Sequence, residues 1–331
     1  AYTYLRKMYC AELSCSNMQP CPEHHGEIRV HVAEAKEAAT APPMTVLISV
    51  DGSSETEKAV AWALRNFPNE NIAFHCVHVY DWAVVGAGQT PAVEAFAHTS
   101  LRKSVEDAAR AVLHKVAKQF HQVGRKEALK HNMGLRGTVQ YVIPEYVKTH
   151  KIDLVVLGSR GAAGVKKWVS SVSNSLLHDV SCNVALIKST VELRDEGAPR
   201  QVVLAIDGSA HSRKAYDWAK THVLQRNDQV TLVMAFKEHS SDAAGKALQD
   251  QEKEFTGPIC EEVTKITEHD CHLLMLPGDP RQVIPDALTK IGGVDLLVMG
   301  SRGRGSVASL LLGSVVDYCV GHVSAPLLVV K

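Results

Sequence analysis

Apolar residues in this chain cluster into short unbroken runs, separated by segments whose apolar positions recur at helical spacing. Thr45–Val50 (TVLISV) is one such run, rich in β-branched residues and ending in Asp51-Gly52-Ser53. A continuous run of this kind predicts a strand buried on both faces of a parallel sheet. Ser53 or Ser54 can cap the segment that follows, with Glu57 three residues beyond Ser54. Val60, Ala63, Leu64 and Phe67 then mark a helix face, and a second strand is predicted over Ile72–Val79. Residues 80–100 read as a Gly/Ala-rich loop, Leu101–Val123 as a long amphipathic helix and Val139–His150 as another helix. Asp153–Leu157 is a strand, Ser171–Val180 a helix and Asn183–Lys188 a closing strand. Alternating strands and helices imply right-handed crossovers and a parallel sheet.

After the polar stretch Ser189–Arg200 the same programme restarts. DGSSETEKAVAWA at Asp51 and DGSAHSRKAYDWA at Asp207 share Asp, Gly, Ser, Lys, Ala, Trp and Ala at identical offsets. Val230–Phe236, Asp295–Met299 and Pro326–Val330 repeat later strands of the first half. Two α/β domains, 44–188 and 201–331, joined by a linker over 189–200, are therefore expected, the product of an internal duplication. The first copy has fourteen more residues between its Asp-Gly-Ser and its glycine loop, an excess assigned to the 80–100 loop and its helix. Residues 1–43 carry no such pattern and are expected to be a disordered leader, with Met44 a plausible natural start.

Composition narrows the function classes. The 331 residues carry 36 basic and 36 acidic side chains, which argues against a broad nucleic-acid footprint. No run approaches a membrane span and no signal-peptide core opens the chain, so a cytoplasmic protein with reduced thiols is expected. Cys10, Cys15, Cys21, His24 and His25 sit at spacings that match no common zinc module, so no metal site is assigned.

Chemistry concentrates in Met299–Ser314 (MGSRGRGSVASLLLGS), where Gly300 and Gly303 follow a strand and Gly313-Ser314 opens an apolar segment. Glycines permit positive φ and close approach to the main chain, and a helix start presents unpaired N–H donors suited to an anion. A dinucleotide fingerprint would follow the first strand, and a P-loop needs G-x4-G-K-[ST]; neither pattern is present. In an open α/β sheet, ligands bind beyond the carboxyl ends of the strands at the switch in strand order, and both Asp207 and the glycines fall at that edge.

Asp-Gly-Ser after the first strand, G-x2-G-x9-G-S after the fourth, Gly278-Asp279-Pro280 before the penultimate helix and a closing APLLVV strand together resemble the universal stress protein family. The resemblance covers residues 44–331 as a tandem pair. It implies two Rossmann-like, adenine-nucleotide alpha-hydrolase-like domains, each with a five-stranded mostly parallel sheet, paired through their last strands within one chain, with a homodimer as a further option. It also implies an ATP site, with or without Mg2+, and a regulatory or stress-response role without nucleic-acid or membrane partners. Carried onto the second domain, Asp207 lies by the ribose, and Ala205, Ala235 and Met299 wall the adenine. Gly300, Arg302 and Gly303 approach ribose and phosphates, while Gly313, Ser314 and Val315 hold the triphosphate and Arg304 adds charge.

The copies depart from the family pattern differently. Many members carry Ser or Thr where Val316 stands, and the lost hydroxyl contact is worth roughly 1–2 kcal/mol. In the first domain the matching set is Asp51, Val79, Gly158, Gly161, Ser170 and Ser171, with Ser170 in place of glycine and a spacer one residue shorter. A residue forced to positive φ costs roughly 1–2 kcal/mol, and one residue turns a helix by about 100°. The first site is accordingly expected to be degenerate, despite Gly164, Lys166 and Lys167 nearby. No nucleophile–base motif is present, His78 and His178 have no evident partners, and Cys76, Cys182, Cys260, Cys271 and Cys319 lie in apolar segments where thiols are usually inert. ATP would be hydrolysed slowly at most. A hydrolase of the same architecture and a ligand-free scaffold are the competing readings.

Overall fold

The computed structural model describes residues 11–13, 28–30, 43–81, 91–159, 171–192, 198–236, 243–303 and 312–331. The chain divides into two compact units, residues 1–64 with 68–157 and residues 65–67 with 158–331.

In the first unit, β3 (Met44–Ser49) lies between β4 (Ile72–Tyr80) and β6 (Leu154–Gly158), parallel to both, with Val46 opposite Phe74 and Leu154. Val46, Leu47 and Ile48 are fully buried, as the unbroken apolar run requires. Each such side chain contributes about 1.5–3 kcal/mol relative to exposure. The helix α1 (Ser54–Asn66) begins where Ser53 Oγ accepts the Thr56 N–H at 3.3 Å, so Ser53 is the cap.

Three expectations are corrected here. The helix α2 spans Pro91–Gln122 and so begins ten residues before Leu101, inside the stretch read as loop. Proline suits a first helical position because its missing N–H has no partner there anyway. At 32 residues against 25 for its counterpart in the second unit, it accounts for much of the extra length. The strand β5 (Leu129–Arg136), parallel to β4, was not anticipated, because LKHNMGLR lacks an apolar run. The helix α3 (Val139–His150) follows as expected. Of the expected leader, Ala11–Leu13 (β1) and Ile28–Val30 (β2) form strands, and β2 runs antiparallel to β5 with Ile28 opposite Gly134. An edge strand offers unpaired N–H and C=O groups, and β2 takes them up. The cysteines and histidines of the leader lie outside the described residues.

The second unit opens with α4 (Ser171–Asp179) and β7 (Asn183–Ile187). Its central strand β8 (Gln201–Ala205) lies between β9 (Gln229–Phe236) and β11 (Leu296–Gly300), all parallel, with Ala205 opposite Val233 and Met299. Outside these, β10 (His272–Pro277) pairs parallel to β9 and β12 (Leu327–Val330) parallel to β11. The chain moves outward from β8 to β10 and then returns to the far side of β8, so the strand order reverses between β8 and β11. The helices are α5 (Ala210–His222), α6 (Ala243–Thr267), α7 (Pro280–Ile291) and α8 (Ser314–His322). Asp279 caps α7 by accepting the Arg281 N–H, with Pro280 at the first position.

The last strands β7 and β12 are antiparallel, Leu186 facing Leu327 and Val184 facing Val329. Lysines at their ends act alike. Lys188 donates to the Val320 carbonyl at 2.5 Å, and Lys331 to the Leu177 and Val180 carbonyls at 2.6 and 2.5 Å. Each ammonium thus serves carbonyls at a helix C-terminus, where cations are favoured. Arg200, expected at the end of a polar linker, is instead buried and forms a two-pronged pair with Asp228 at 2.7 and 2.5 Å.

Candidate functional site

The turn after β8 sets the first element of the site. Gly208 has φ +76°, a conformation that glycine adopts without penalty, and Gly52 in the first unit has φ +83°. This turn lets Asp207 Oδ1 accept the Ser209 N–H at 3.0 Å, and Ser209 Oγ in turn caps α5 by accepting the Ser212 N–H at 3.1 Å. The Ser212 hydroxyl donates to the Ser209 carbonyl at 2.9 Å.

The loop after β11 meets that turn. A Cβ on Gly303 would sit 2.6 Å from Asp207 Oδ2, so only glycine fits beside the carboxylate as placed. A Cβ on Gly313 would lie 3.4 Å from Arg302 Cα, which brings the start of α8 against the same loop. The Gly313 N–H donates to the Ser301 carbonyl at 2.8 Å and the Ser301 N–H to the Val330 carbonyl at 2.7 Å, anchoring the loop to β12. Asp207, Arg302, Gly303, Gly313 and Ser314 are therefore gathered at the strand-order reversal, where ligands of open α/β sheets bind.

Several roles read from the sequence change. Gly300, Gly303 and Gly313 all lack positive φ, and Gly313 is extended at φ −87°, ψ 152°. Their value is close approach, and the strain argument made for serine at the Gly313 position does not hold in this geometry. Ser170 itself, with Gly161, Gly164, Lys166, Lys167 and Arg304, lies outside the described residues. Gly300 is glycine because α5 abuts it: a Cβ would lie 2.6 Å from the His211 backbone carbon and oxygen. The Gly313 N–H is already engaged, so the donors that precede the first intrahelical bond, Asp317 N–H to Gly313 carbonyl, are those of Ser314, Val315 and Val316. Ala205 and Met299 are buried side by side, whereas Ala235, opposite Leu276 on β9, is half-buried.

Arg302 carries a signal that the sequence did not. Its Nε is buried and hydrogen-bonded to nothing among the described residues. An orphaned guanidinium donor, a glycine cradle on a carboxylate and a helix start without a side-chain cap fit an anionic ligand bearing hydroxyls nearby.

In the first unit the turn is wired differently. Asp51, at the exposed end of β3, accepts the Ser53 hydroxyl at 2.5 Å, the Ser53 N–H at 2.9 Å and the Thr56 hydroxyl at 3.0 Å through one oxygen. Gly52 is covered by Val112 of α2, whose Cγ2 would lie 2.7 Å from an added Cβ. Val79, the counterpart of Ala235, is half-buried at the end of β4. Within the second unit, Ser173 of α4 donates to the Gly158 carbonyl at 2.7 Å, while Ser171 is exposed. Ser173 stands where α8 has the buried Val316. That hydroxyl position faces a backbone carbonyl, so Val316 replaces a helix–strand hydrogen bond with apolar packing.

The histidines singled out find structural partners: His78 Nδ1 lies 2.8 Å from the Val50 carbonyl, and His178 Nε2 lies 3.5 Å from Asp317 Oδ1. Burial pushes the Cys76 and Cys319 thiols up, the latter to about 12, which leaves them unreactive. No group of three or more potential metal ligands converges among the described residues, and no described helix is long and apolar enough to cross a membrane.

A duplicated Rossmann-like α/β architecture, with an Asp-Gly-Ser turn facing a glycine loop at the switch point, defines the class of protein. The sequence profile of the universal stress protein family matches residues 43–188 and again 199–331, and the chain belongs to that family. A universal stress protein of Mycobacterium tuberculosis is 26% identical over 296 residues, spanning 86% of this chain and 96% of its own length. The crystal structure of a universal stress protein from Archaeoglobus fulgidus aligns with a TM-score of 0.59 at 22% identity, covering 87% of this chain and 96% of that one. An Arabidopsis thaliana family member solved with AMP bound covers 40% of this chain and 92% of its own at 21% identity, with a TM-score of 0.29.

Proposed function

We propose that this chain is an ATP-binding regulatory protein of the stress response, acting in the cytoplasm, with the nucleotide held mainly by the second repeat. The observation that carries the reading is the meeting of Asp207 with Gly303 and of the Arg302 backbone with Gly313 at the start of α8, with Arg302 Nε buried and without a partner among the described residues. In this reading the Asp207 carboxylate takes the ribose hydroxyls. Ala205, Ala235 and Met299 line the adenine; the two alanines leave room for a flat base and the Met299 side chain gives it an apolar contact. Gly300 and Gly303 keep the loop backbone close, and Arg302 supplies a charged donor to phosphate oxygens. The N–H groups of Ser314 and Val315 face the triphosphate with the positive end of the helix behind them. Mg2+, where bound, would come with the triphosphate.

Slow hydrolysis at most is the companion reading. Hydrolysis needs a residue that orients or deprotonates water, and His78 and His178 are both engaged elsewhere. The two repeats, 44–188 and 201–331, are read as pairing within one chain through β7 and β12, which leaves these apolar strands no open edge for a second copy.

Titrating labelled ATP into wild type and Gly313→Val tests the site. Affinity should fall in the variant, because branched methyls there meet the Arg302 backbone; equal affinity overturns the proposal. Prolonged incubation with ATP and a phosphate assay tests the second part, and turnover above about one per second would make the protein an enzyme.

A further inference from the structure

Cys260 and Cys271, expected to be inert, are brought together by the fold. Cys260 lies in the C-terminal third of α6, and Cys271 immediately precedes β10. The chain reverses between them through a turn pinned by Thr267, whose hydroxyl contacts the Val263 and His269 carbonyls at 3.0 and 3.2 Å. The Cys271 N–H then donates to Thr264 Oγ1 at 3.3 Å, which returns the strand's first residue to the helix. Thr264 lies one helical turn beyond Cys260, so this contact sets Cys271 against the same stretch of α6; the two thiols interact, and both are partly exposed, unlike the buried Cys76 and Cys319.

We propose that Cys260 and Cys271 form a peroxide-responsive dithiol that closes to a disulfide and staples α6 to β10. The roles divide by environment. The Cys271 side chain holds the Cys260 thiol below its ordinary range, while Cys260 and burial push the Cys271 thiol up. The Cys260 sulfur attacks one oxygen of a hydroperoxide such as hydrogen peroxide; the O–O bond breaks, hydroxide leaves and takes up a proton as water, and Cys260 becomes a sulfenic acid. The Cys271 sulfur then attacks the Cys260 sulfur. The S–S bond forms, the S–O bond breaks, and the leaving hydroxide departs as water with the Cys271 proton. Two thiols lose two electrons in all, and one peroxide becomes two waters. Closure ties the last helical turns to an edge strand across a short loop, which limits opening of that edge.

The experiment treats the reduced full-length chain with one molar equivalent of hydrogen peroxide and maps its tryptic peptides. Cys260 falls in the peptide 254–265 and Cys271 in 266–281. The expected product is these two peptides joined, lighter by two hydrogens than their sum, and separated again by dithiothreitol. Cys271→Ser should abolish the joined species and leave a Cys260 sulfenic acid that dimedone captures. Cys260→Ser should leave Cys271 reduced. Either of two results overturns the proposal: both thiols still reduced while other cysteines are oxidised, or either thiol joined chiefly to a different cysteine.

Discussion

The Asp-Gly-Ser turn occurs twice, and its two carboxylates are held by different neighbours. Five residues beyond Asp51, the Thr56 hydroxyl lies 3.0 Å from both the carboxylate and the Ser53 carbonyl; five beyond Asp207, the Ser212 hydroxyl bonds the Ser209 carbonyl at 2.9 Å. The second turn faces Gly303 with its other oxygen, and the first is backed by Val112 on Gly52. The Asp51 carboxylate accepts three hydrogen bonds from its own turn and helix, while the Asp207 carboxylate accepts the Ser209 N–H and lies against Gly303, next in the chain to Arg302 with its buried Nε. A shared motif fixes the backbone of the turn, and the residues packed around it set the surroundings of each carboxylate.

The comparison can be broken most forcefully at Gly300. Gly300→Ala would set a methyl 2.6 Å from the His211 backbone, so α5 must shift, and denaturant unfolding should show a loss of about 3 kcal/mol. Gly313→Ala, with an extended backbone and its nearest contact at 3.4 Å, should lose less than about 1 kcal/mol. Equal losses would mean that the glycine loop is held in place otherwise.

Next in size is an acid effect confined to the first unit. His75 on β4 stacks on His131 of β5 at 4.1 Å, its Nδ1 lies 2.9 Å from the Tyr146 hydroxyl, and His150 packs at 5.7 Å. Burial, then repulsion from His131 and His150, holds the His75 imidazole down at about 3. An unfolded chain takes up that proton from about pH 6.5 downward while the folded one does not, so stability falls with pH across the window from 6.5 to about 3. By pH 5 the loss should reach about 2 kcal/mol. Amide exchange in β4 and β5 should quicken at pH 5 more than in β8 and β9; equal change in both would assign the effect elsewhere.

Smaller effects sharpen the site itself. Arg302→Gln removes a charged donor at small structural cost, and ATP affinity should drop about tenfold by calorimetry with the unfolding midpoint nearly unchanged. Val316→Ser should restore the hydrogen bond that Ser173 makes and change ATP affinity less than about twofold, since that hydroxyl faces the Gly300 carbonyl. A gain approaching tenfold would return the hydroxyl to the ligand.

Much of this was legible in the residues. The unbroken runs at Thr45 and Gln201 gave the central strands because a strand buried on both faces needs no polar alternation. The pairing of Asp207 with the glycine loop followed from strand order alone. β5 was hidden because its half-buried His131 and buried Asn132 are satisfied by contacts from other elements, Tyr146 on α3 and the Leu113 carbonyl on α2. The start of α2 was hidden by the alanines around Pro91, which suit loop and helix alike. Gly300 and Gly303 looked equivalent in sequence, and only the packing of α5 separates a structural glycine from one beside the carboxylate. The Cys260–Cys271 pair was invisible because ten residues of helix and turn separate the two thiols, and the reversal depends on Thr264 and Thr267.

The central claim is that one repeat holds nucleotide, through a carboxylate that Gly303 leaves room for. Isothermal titration of ATP into wild type and Gly303→Ala measures it directly. The account predicts one site per chain in wild type, weakened about tenfold or more in the variant as the new methyl displaces the Asp207 carboxylate. Two equal sites per chain, or an affinity untouched by Gly303→Ala, would contradict it.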